Sequence, residues 1–100
     1  MLRQEECAEV AKPEWWKDEG LKALSARVMR AAPDNLGAHR MRALVLSGHL
    51  SAWEAGPRSA AELREAAAHY ERVAALCLAP ALKADFAGDA AACRREADAM

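Results

Sequence analysis

The chain has 100 residues, the length of one domain, and a formal net charge of -1 at neutral pH. This balance excludes a global attraction to nucleic acid or to an anionic membrane, and no apolar run approaches the roughly 20 residues of a membrane-spanning helix. Alanine supplies about half of the 53% hydrophobic residues, Ile and Thr are absent, and Val is rare. Because strand formers are scarce and helix formers dominate, the composition predicts an all-α protein.

The N-terminal segment and the cysteines favour a reducing compartment. The segment MLRQEECAEVAKP is acidic and lacks both the apolar stretch of a secretory signal and the basic character of a transit peptide. Cys7, Cys77 and Cys93 are an odd number at wide spacing, which is not the pattern of a disulfide framework. The sequence therefore predicts a cytoplasmic protein.

The N-terminal part of the chain predicts two helices. The first, over 2–11, ends at Pro13, which also suits the first turn of the next helix. The second, over 14–31, has apolar residues at the three-and-four spacing of a buried stripe. The residues of this stripe are Leu21, Leu24, Val28 and Ala31. Asp34 or Asn35 then supplies a cap for the helix that follows.

Trp15 and Trp16 are adjacent at the beginning of the second helix, where neighbouring side chains point about 100° apart. On a helical wheel Trp15 falls nearly opposite the apolar stripe, which predicts that the 2–11 helix covers it. Trp16 falls beside Arg27 and Arg30. Since Trp and Arg are enriched at interaction hot spots, Trp16 is a candidate binding residue. The alternative is that its ring packs under the aliphatic stems of the arginines.

The middle of the chain predicts a third helix followed by a long loop. The helix covers 36–47, and Gly48 provides its C-terminal stop. The segment 48–60 is the least regular in the chain, is interrupted by a Gly-Pro pair and contains Leu50 and Trp53. A tryptophan in such a loop is predicted to fold back over a helix pair, although loops on rigid scaffolds also carry function.

Two further helices are predicted after this loop. Ser59 and Glu62 have the spacing of a capping box, and the helix that they begin runs to about residue 78. Pro80 separates it from a last helix that continues to the C-terminus. Both helices carry apolar stripes, namely Leu63, Ala66, Ala67, Tyr70, Val73, Ala74 and Cys77, and Leu82, Phe86, Ala90, Cys93 and Ala97.

Three triplets of residues share a spacing of four and then three positions. They are His39, Ala43 and Leu46, then Ala66, Tyr70 and Val73, and finally Phe86, Ala90 and Cys93. In these triplets the chain resembles the tetratricopeptide repeat (TPR) family. The resemblance implies antiparallel helical hairpins that stack as a TPR-like α-solenoid fragment of about four to five helices. A generic bundle of four or five helices is the alternative.

The predicted organisation is a single helical-repeat domain over 1–100. It consists of a short N-terminal helix at 2–11, a first hairpin at 14–47, an inserted loop at 48–60 and a second hairpin at 60–98.

TPR proteins hold peptides in a groove formed by the first helix of each repeat. The resemblance implies that Arg40, Met41 and Leu44 line such a groove together with Ala87. A basic cluster flanks the 32–35 turn and contains Arg27, Arg30, His39, Arg40 and Arg42. The candidate partner-binding residues are therefore Trp16, Arg27, Arg30, Arg40, Met41 and Leu44. The alternative is that the basic residues pair with acidic neighbours such as Glu14, Asp18 or Glu19.

No catalytic or metal site is predicted. The three histidines lack a ligand at a useful local spacing, and the chain has no Cys-x-x-Cys pair. The serines lack a histidine partner and a glycine elbow, and no glycine-rich phosphate loop exists. The sequence thus predicts neither an enzyme, nor a cofactor, nor a small-molecule substrate.

Three functions remain open at this point. The first is a protein–protein interaction scaffold that binds a peptide or partner helix through its TPR-like surface. The second is a structural subunit or assembly segment of a larger complex, including self-association. RNA binding through the basic cluster is the third, and the near-neutral charge disfavours it.

Overall fold

The structure, a computed structural model, describes residues 13–49 and 53–100. Within these ranges the chain forms four α-helices and no strand, which confirms the all-α prediction. The helices are α1 (Asp18–Ala31), α2 (Leu36–Ser47), α3 (Ala60–Leu76) and α4 (Pro80–Asp98), and each packs against the one that follows it. The predicted 2–11 helix, together with Cys7 and Leu50, lies outside the described residues.

The helix ends follow the local signals in the sequence. The side chain of Asn35 accepts a hydrogen bond from the first turn of α2, and Gly48 ends that helix with a φ of 70°. Ser59 and Glu62 form both bonds of the predicted capping box at the beginning of α3. Pro80 occupies the first turn of α4, where its missing N–H costs no hydrogen bond.

The beginning of α1 differs from the prediction. Because the N–H of Trp16 donates to the carbonyl of Pro13 at 2.8 Å, the chain turns there and α1 begins only at Asp18. Gly20 permits the turn to lie against the helix, since a Cβ at this position would overlap the carbonyl group of Trp15. The helical-wheel placement of the two tryptophans was therefore wrong, as both precede the helix.

One buried cluster joins α2, α3 and α4. Its members are Ala43, Leu46, Ala66, Ala67, Tyr70, Ala90 and Cys93. Most of them are alanines, so the helices can approach more closely than leucine-lined surfaces would allow. Phe86 packs against the cluster and stacks on Tyr70, with ring centroids 6.3 Å apart. The Tyr70 hydroxyl is hydrogen-bonded to the hydroxyl of Ser47 at 3.2 Å.

The contact between α1 and α2 contains a buried polar side chain. Of the predicted apolar stripe on α1, Leu21 is buried, whereas the other three residues are half-buried or exposed. Ser25 is fully buried, and its hydroxyl donates to the carbonyl of Lys22 and accepts from the guanidinium of Arg42, both at 3.0 Å. Since both bonds are made, the burial of this hydroxyl is compensated.

Replacing Ala66 with leucine is expected to lower the free energy of unfolding by about 1–3 kcal/mol, as overpacked core substitutions do. Ala66 is 0% exposed and has helix neighbours on both sides. Ala68, which is exposed on the same helix, provides the matched control. There the same substitution is expected to change stability by less than about 0.5 kcal/mol. Urea unfolding measures both, and equal stability of the two variants would contradict close packing at Ala66.

No helix within residues 13–49 and 53–100 combines the length and the hydropathy that crossing a bilayer requires.

Candidate functional site

A groove of about 290 Å³ opens beside α1 and α2 and is lined mostly by apolar side chains. All three tryptophans of the chain contribute to it. Its lining residues are Trp15, Trp16, Leu21, Leu24, Gly37, Arg40, Met41, Leu44, Val45 and Trp53, and we call it the Trp groove. This concentration of aromatic surface is notable because the whole chain has only 5% aromatic residues.

Four of the six predicted binding residues meet at the Trp groove. They are Trp16, Arg40, Met41 and Leu44. Arg27 and Arg30 are exposed on α1 and are not among the lining residues. Ala87 is likewise exposed on α4 and is not part of the lining. The groove therefore lies along α1 and α2, and not along α2 and the last helix as the resemblance implied.

The turn before α1 supplies two of the indoles. The rings of Trp15 and Trp16 meet edge to face, with centroids 5.6 Å apart and an angle of 60° between the planes. This geometry is favourable for aromatic pairs. Trp15 is 47% exposed, while Trp16 is half-buried. The turn thus presents an aromatic surface that is partly open to solvent.

The third indole is held by an ion pair between Asp18 and Arg58. The guanidinium donates to both carboxylate oxygens at 2.8 and 2.6 Å and to the carbonyl of Val45 at 2.8 Å. The indole N–H of Trp53 donates to the same carboxylate at 2.9 Å. The Arg58 side chain is only 6% exposed. One carboxylate therefore joins α1, α2 and the segment that precedes α3.

The surroundings of Asp18 keep its carboxylate ionised. Hydrogen bonds from Arg58 lower its pKa well below the usual range, and the N–H groups of Trp53 and Gly56 add to the effect against the opposing influence of burial. The folded-state pKa is thus lower than the value of about 3.9 expected in the unfolded chain. The stabilisation is fully present above that pH and is lost as the pH falls towards the folded-state value.

The remaining basic residues of the predicted cluster hold helices together. Arg42 donates to the carbonyl of Lys22 at 2.8 Å and to the carboxylate of Glu65 at 3.3 Å. His39 is buried and contacts His69 across α2 and α3. The predicted pairing of this cluster with Asp18 is not seen among the described residues, because Asp18 pairs with Arg58 and Lys22, which lie outside the cluster.

Sequence reasoning did not find the ion pair that organises the groove. Asp18 and Arg58 lie 40 positions apart, and Asp18 and Trp53 lie 35 apart, so no local spacing indicates these contacts. The only signal was an isolated tryptophan in an irregular segment. Its predicted return to the helices agrees with its hydrogen bond to α1.

Among residues 13–49 and 53–100, no group of three or more His, Cys, Asp and Glu side chains is arranged to hold a metal ion. Comparisons of this chain with protein-family models, with curated proteins and with solved structures give no match.

Proposed function

We propose that this chain is a cytoplasmic, non-enzymatic interaction module that binds a peptide or partner helix in the Trp groove. The observation that carries the proposal is the groove itself, in which three indoles surround a space of about 290 Å³. This volume lies at the lower end of the roughly 300–1,000 Å³ usual for small-molecule sites, a space that one or two anchoring side chains of a peptide would fill. Buried Cys77 and Cys93 are free thiols, which is typical of a reducing compartment.

Arg40 defines the charge that the ligand would carry. It is exposed at the groove, and its guanidinium forms no ion pair with any residue that the structure describes. An acidic side chain next to the apolar anchor would therefore gain a charge-assisted hydrogen bond. Tryptophan and arginine are also the residues most enriched at hot spots of protein interfaces.

A TPR-like arrangement of hairpins is part of this proposal. It is supported by the burial of the three triplets that carry the resemblance, since eight of their nine residues are buried and Phe86 is half-buried. The short connections at 32–35 and 77–79 also favour antiparallel neighbours.

Selection of a phage-displayed peptide library on the full chain is expected to enrich peptides with a bulky apolar residue beside Asp or Glu. Leu44→Asp and Arg40→Glu are each expected to weaken binding of a selected peptide about tenfold or more, a loss of about 1.4 kcal/mol. The first places a charge in the apolar groove, and the second repels the acidic residue of the peptide. Isothermal titration calorimetry measures both affinities.

Arg30→Glu is the matched control for Arg40→Glu, because it reverses the same charge on an exposed helix position outside the groove. Its affinity is expected to remain within about twofold of wild type, as screened surface charges contribute little. Wild-type affinity of Leu44→Asp would show that the selected peptides bind elsewhere. An equal loss with both arginine variants would show that only overall charge matters.

Self-association as an assembly segment is the second candidate. Leu78 is 96% exposed and Leu82 is 49% exposed at the junction of α3 and α4, and Met100 is 68% exposed. Such exposed large hydrophobic side chains favour burial against another chain. Light scattering over a range of concentrations separates this candidate from the first. The mean molar mass of an assembly segment is expected to increase with protein concentration, whereas that of a peptide-binding module is not.

A further inference from the structure

Two histidine rings meet across the contact between α2 and α3. The Nδ1 atoms of His39 and His69 are 3.0 Å apart. The second nitrogen of each ring also has a neighbour: Nε2 of His39 lies 2.7 Å from the carbonyl oxygen of Pro33, and Nε2 of His69 lies 3.4 Å from a carboxylate oxygen of Glu65. His39 is buried, and His69 is half-buried. All four ring nitrogens are therefore engaged.

The neighbours determine where the protons sit. The Pro33 carbonyl only accepts, so Nε2 of His39 carries its proton and Nδ1 of a neutral His39 is an acceptor. The proton between the rings then belongs to Nδ1 of His69. Neutral His69 is left with an unprotonated Nε2 that faces Glu65. A proton added there creates a hydrogen bond to the carboxylate and leaves the other bonds unchanged.

A second proton has no place in the folded pair. It would have to bind Nδ1 of His39 and would set two N–H groups against each other across 3.0 Å. The folded pair thus holds at most one added proton, while the two rings of the unfolded chain each bind one below their ordinary pKa of about 6.5. Unfolding at acidic pH must therefore take up at least one proton.

Some of the groups around the pair raise the pKa of His69 and others lower it. Burial lowers the pKa of His69, Glu65 on the same helix raises it, and His39 and Arg42 on α2 lower it. Arg42 also contacts Glu65 directly at 3.3 Å, which reduces the attraction of that carboxylate for a proton on His69. At the 32–35 turn, Asp34 pairs with Arg72 of α3 at 3.5 Å, so the charges of these two residues compensate each other. The net effect is that the pKa of His69 lies below its ordinary value, chiefly because the ring is partly buried.

We propose that the contact between His39 and His69 is an acid-sensitive switch that weakens the α2–α3 junction as the pH falls below about 6.5. The contact ties Pro33 and α2 to α3 only while at least one of the rings is neutral. The switch needs no ligand and does not depend on the Trp groove.

Urea unfolding of the full chain between pH 8 and pH 5.5 tests the proposal. If unfolding takes up one proton, the unfolding constant of wild type is expected to be about fivefold larger at pH 5.5 than at pH 6.5. His69→Gln should remove this rise, because its amide can turn to donate to His39 or to accept from protonated His39. His49→Gln is the matched control and should keep the wild-type rise, as His49 is exposed and faces Glu96 at 3.8 Å.

Long-range ¹H–¹⁵N spectra of the histidine rings of wild type provide a readout that does not depend on a variant. At pH 8 we expect the Nδ1–H tautomer for His69 and the Nε2–H tautomer for His39. Independent titration of both rings near pH 6.5 would overturn the proposal, as would a wild-type rise in the His69→Gln variant. Stabilisation by added Zn²⁺ with shifts of both Nδ1 signals would also overturn it, because the pair would then be a metal site.

Discussion

Replacing Tyr70 with alanine is expected to lower the free energy of unfolding by about 4 kcal/mol, as large-to-small core substitutions do. Tyr70 is 2% exposed and is the largest fully buried side chain of the described residues. The alanines around it cannot extend into the space that its ring would leave, and Phe86 would lose its stacking partner. A small domain has only about 5–15 kcal/mol of stability in total, so the variant should unfold at a much lower urea concentration.

Tyr70→Phe separates the contribution of the ring from that of the hydroxyl. It removes the hydrogen bond to Ser47 but keeps the stacking, and the Ser47 hydroxyl still donates to the carbonyl of Leu44 at 3.2 Å. The expected loss is about 1 kcal/mol, the usual contribution of one hydrogen bond. If Tyr70→Ala lost no more than Tyr70→Phe, the ring would not be the centre of the core.

Replacing Arg58 with alanine is expected to lower the free energy of unfolding by about 3 kcal/mol, because one partner of a largely buried ion pair is removed. The carboxylate of Asp18 would keep the indole N–H of Trp53, the N–H of Gly56 and the more distant ammonium of Lys22 at 3.7 Å. The carbonyl of Val45 would lose its guanidinium donor. The Asp18 side chain is 19% exposed, so solvent limits the loss to the lower end of the range for buried pairs.

Arg64→Ala is the matched control, since Arg64 pairs with Asp98 at 2.9 Å but both side chains are more than half exposed. Its loss is expected to stay below about 1 kcal/mol. The difference between wild type and Arg58→Ala should also shrink as the pH falls below about 3.9, where Asp18 is protonated in the unfolded chain. Equal losses in the two arginine variants, or a difference that does not change with pH, would contradict a buried ion pair.

Local signals predicted most of the helices correctly. The Asn35 cap, the Gly48 stop and the Ser59–Glu62 capping box each depend on residues within a single helical turn, which the sequence shows directly. Most core positions of α3 and α4 were also predictable, because the three-and-four spacing determines which side of a helix faces its neighbours. Leu82 of the predicted α4 stripe is an exception, since it is 49% exposed.

Features that depend on distant or competing contacts could not be predicted. The chain forms a turn from Pro13 to Trp16 where the sequence pattern predicted the beginning of a helix. This turn requires the backbone of Trp15 to lie close to Gly20. The burial of Ser25 follows from its hydrogen bond to Arg42 on another helix. The candidate binding residues on α2 were named from the resemblance to TPR proteins, whereas the place of Trp53 in the groove involves a hydrogen bond to Asp18, 35 positions away.

Asp18 uses one carboxylate oxygen both to hold the indole of Trp53 and to bind Arg58. The first contact shapes a wall of the groove, and the second fastens three segments of the chain. Folding and the shape of the groove therefore depend on the same carboxylate, and a substitution at Asp18 would disturb the aromatic wall and the connection between the three segments together.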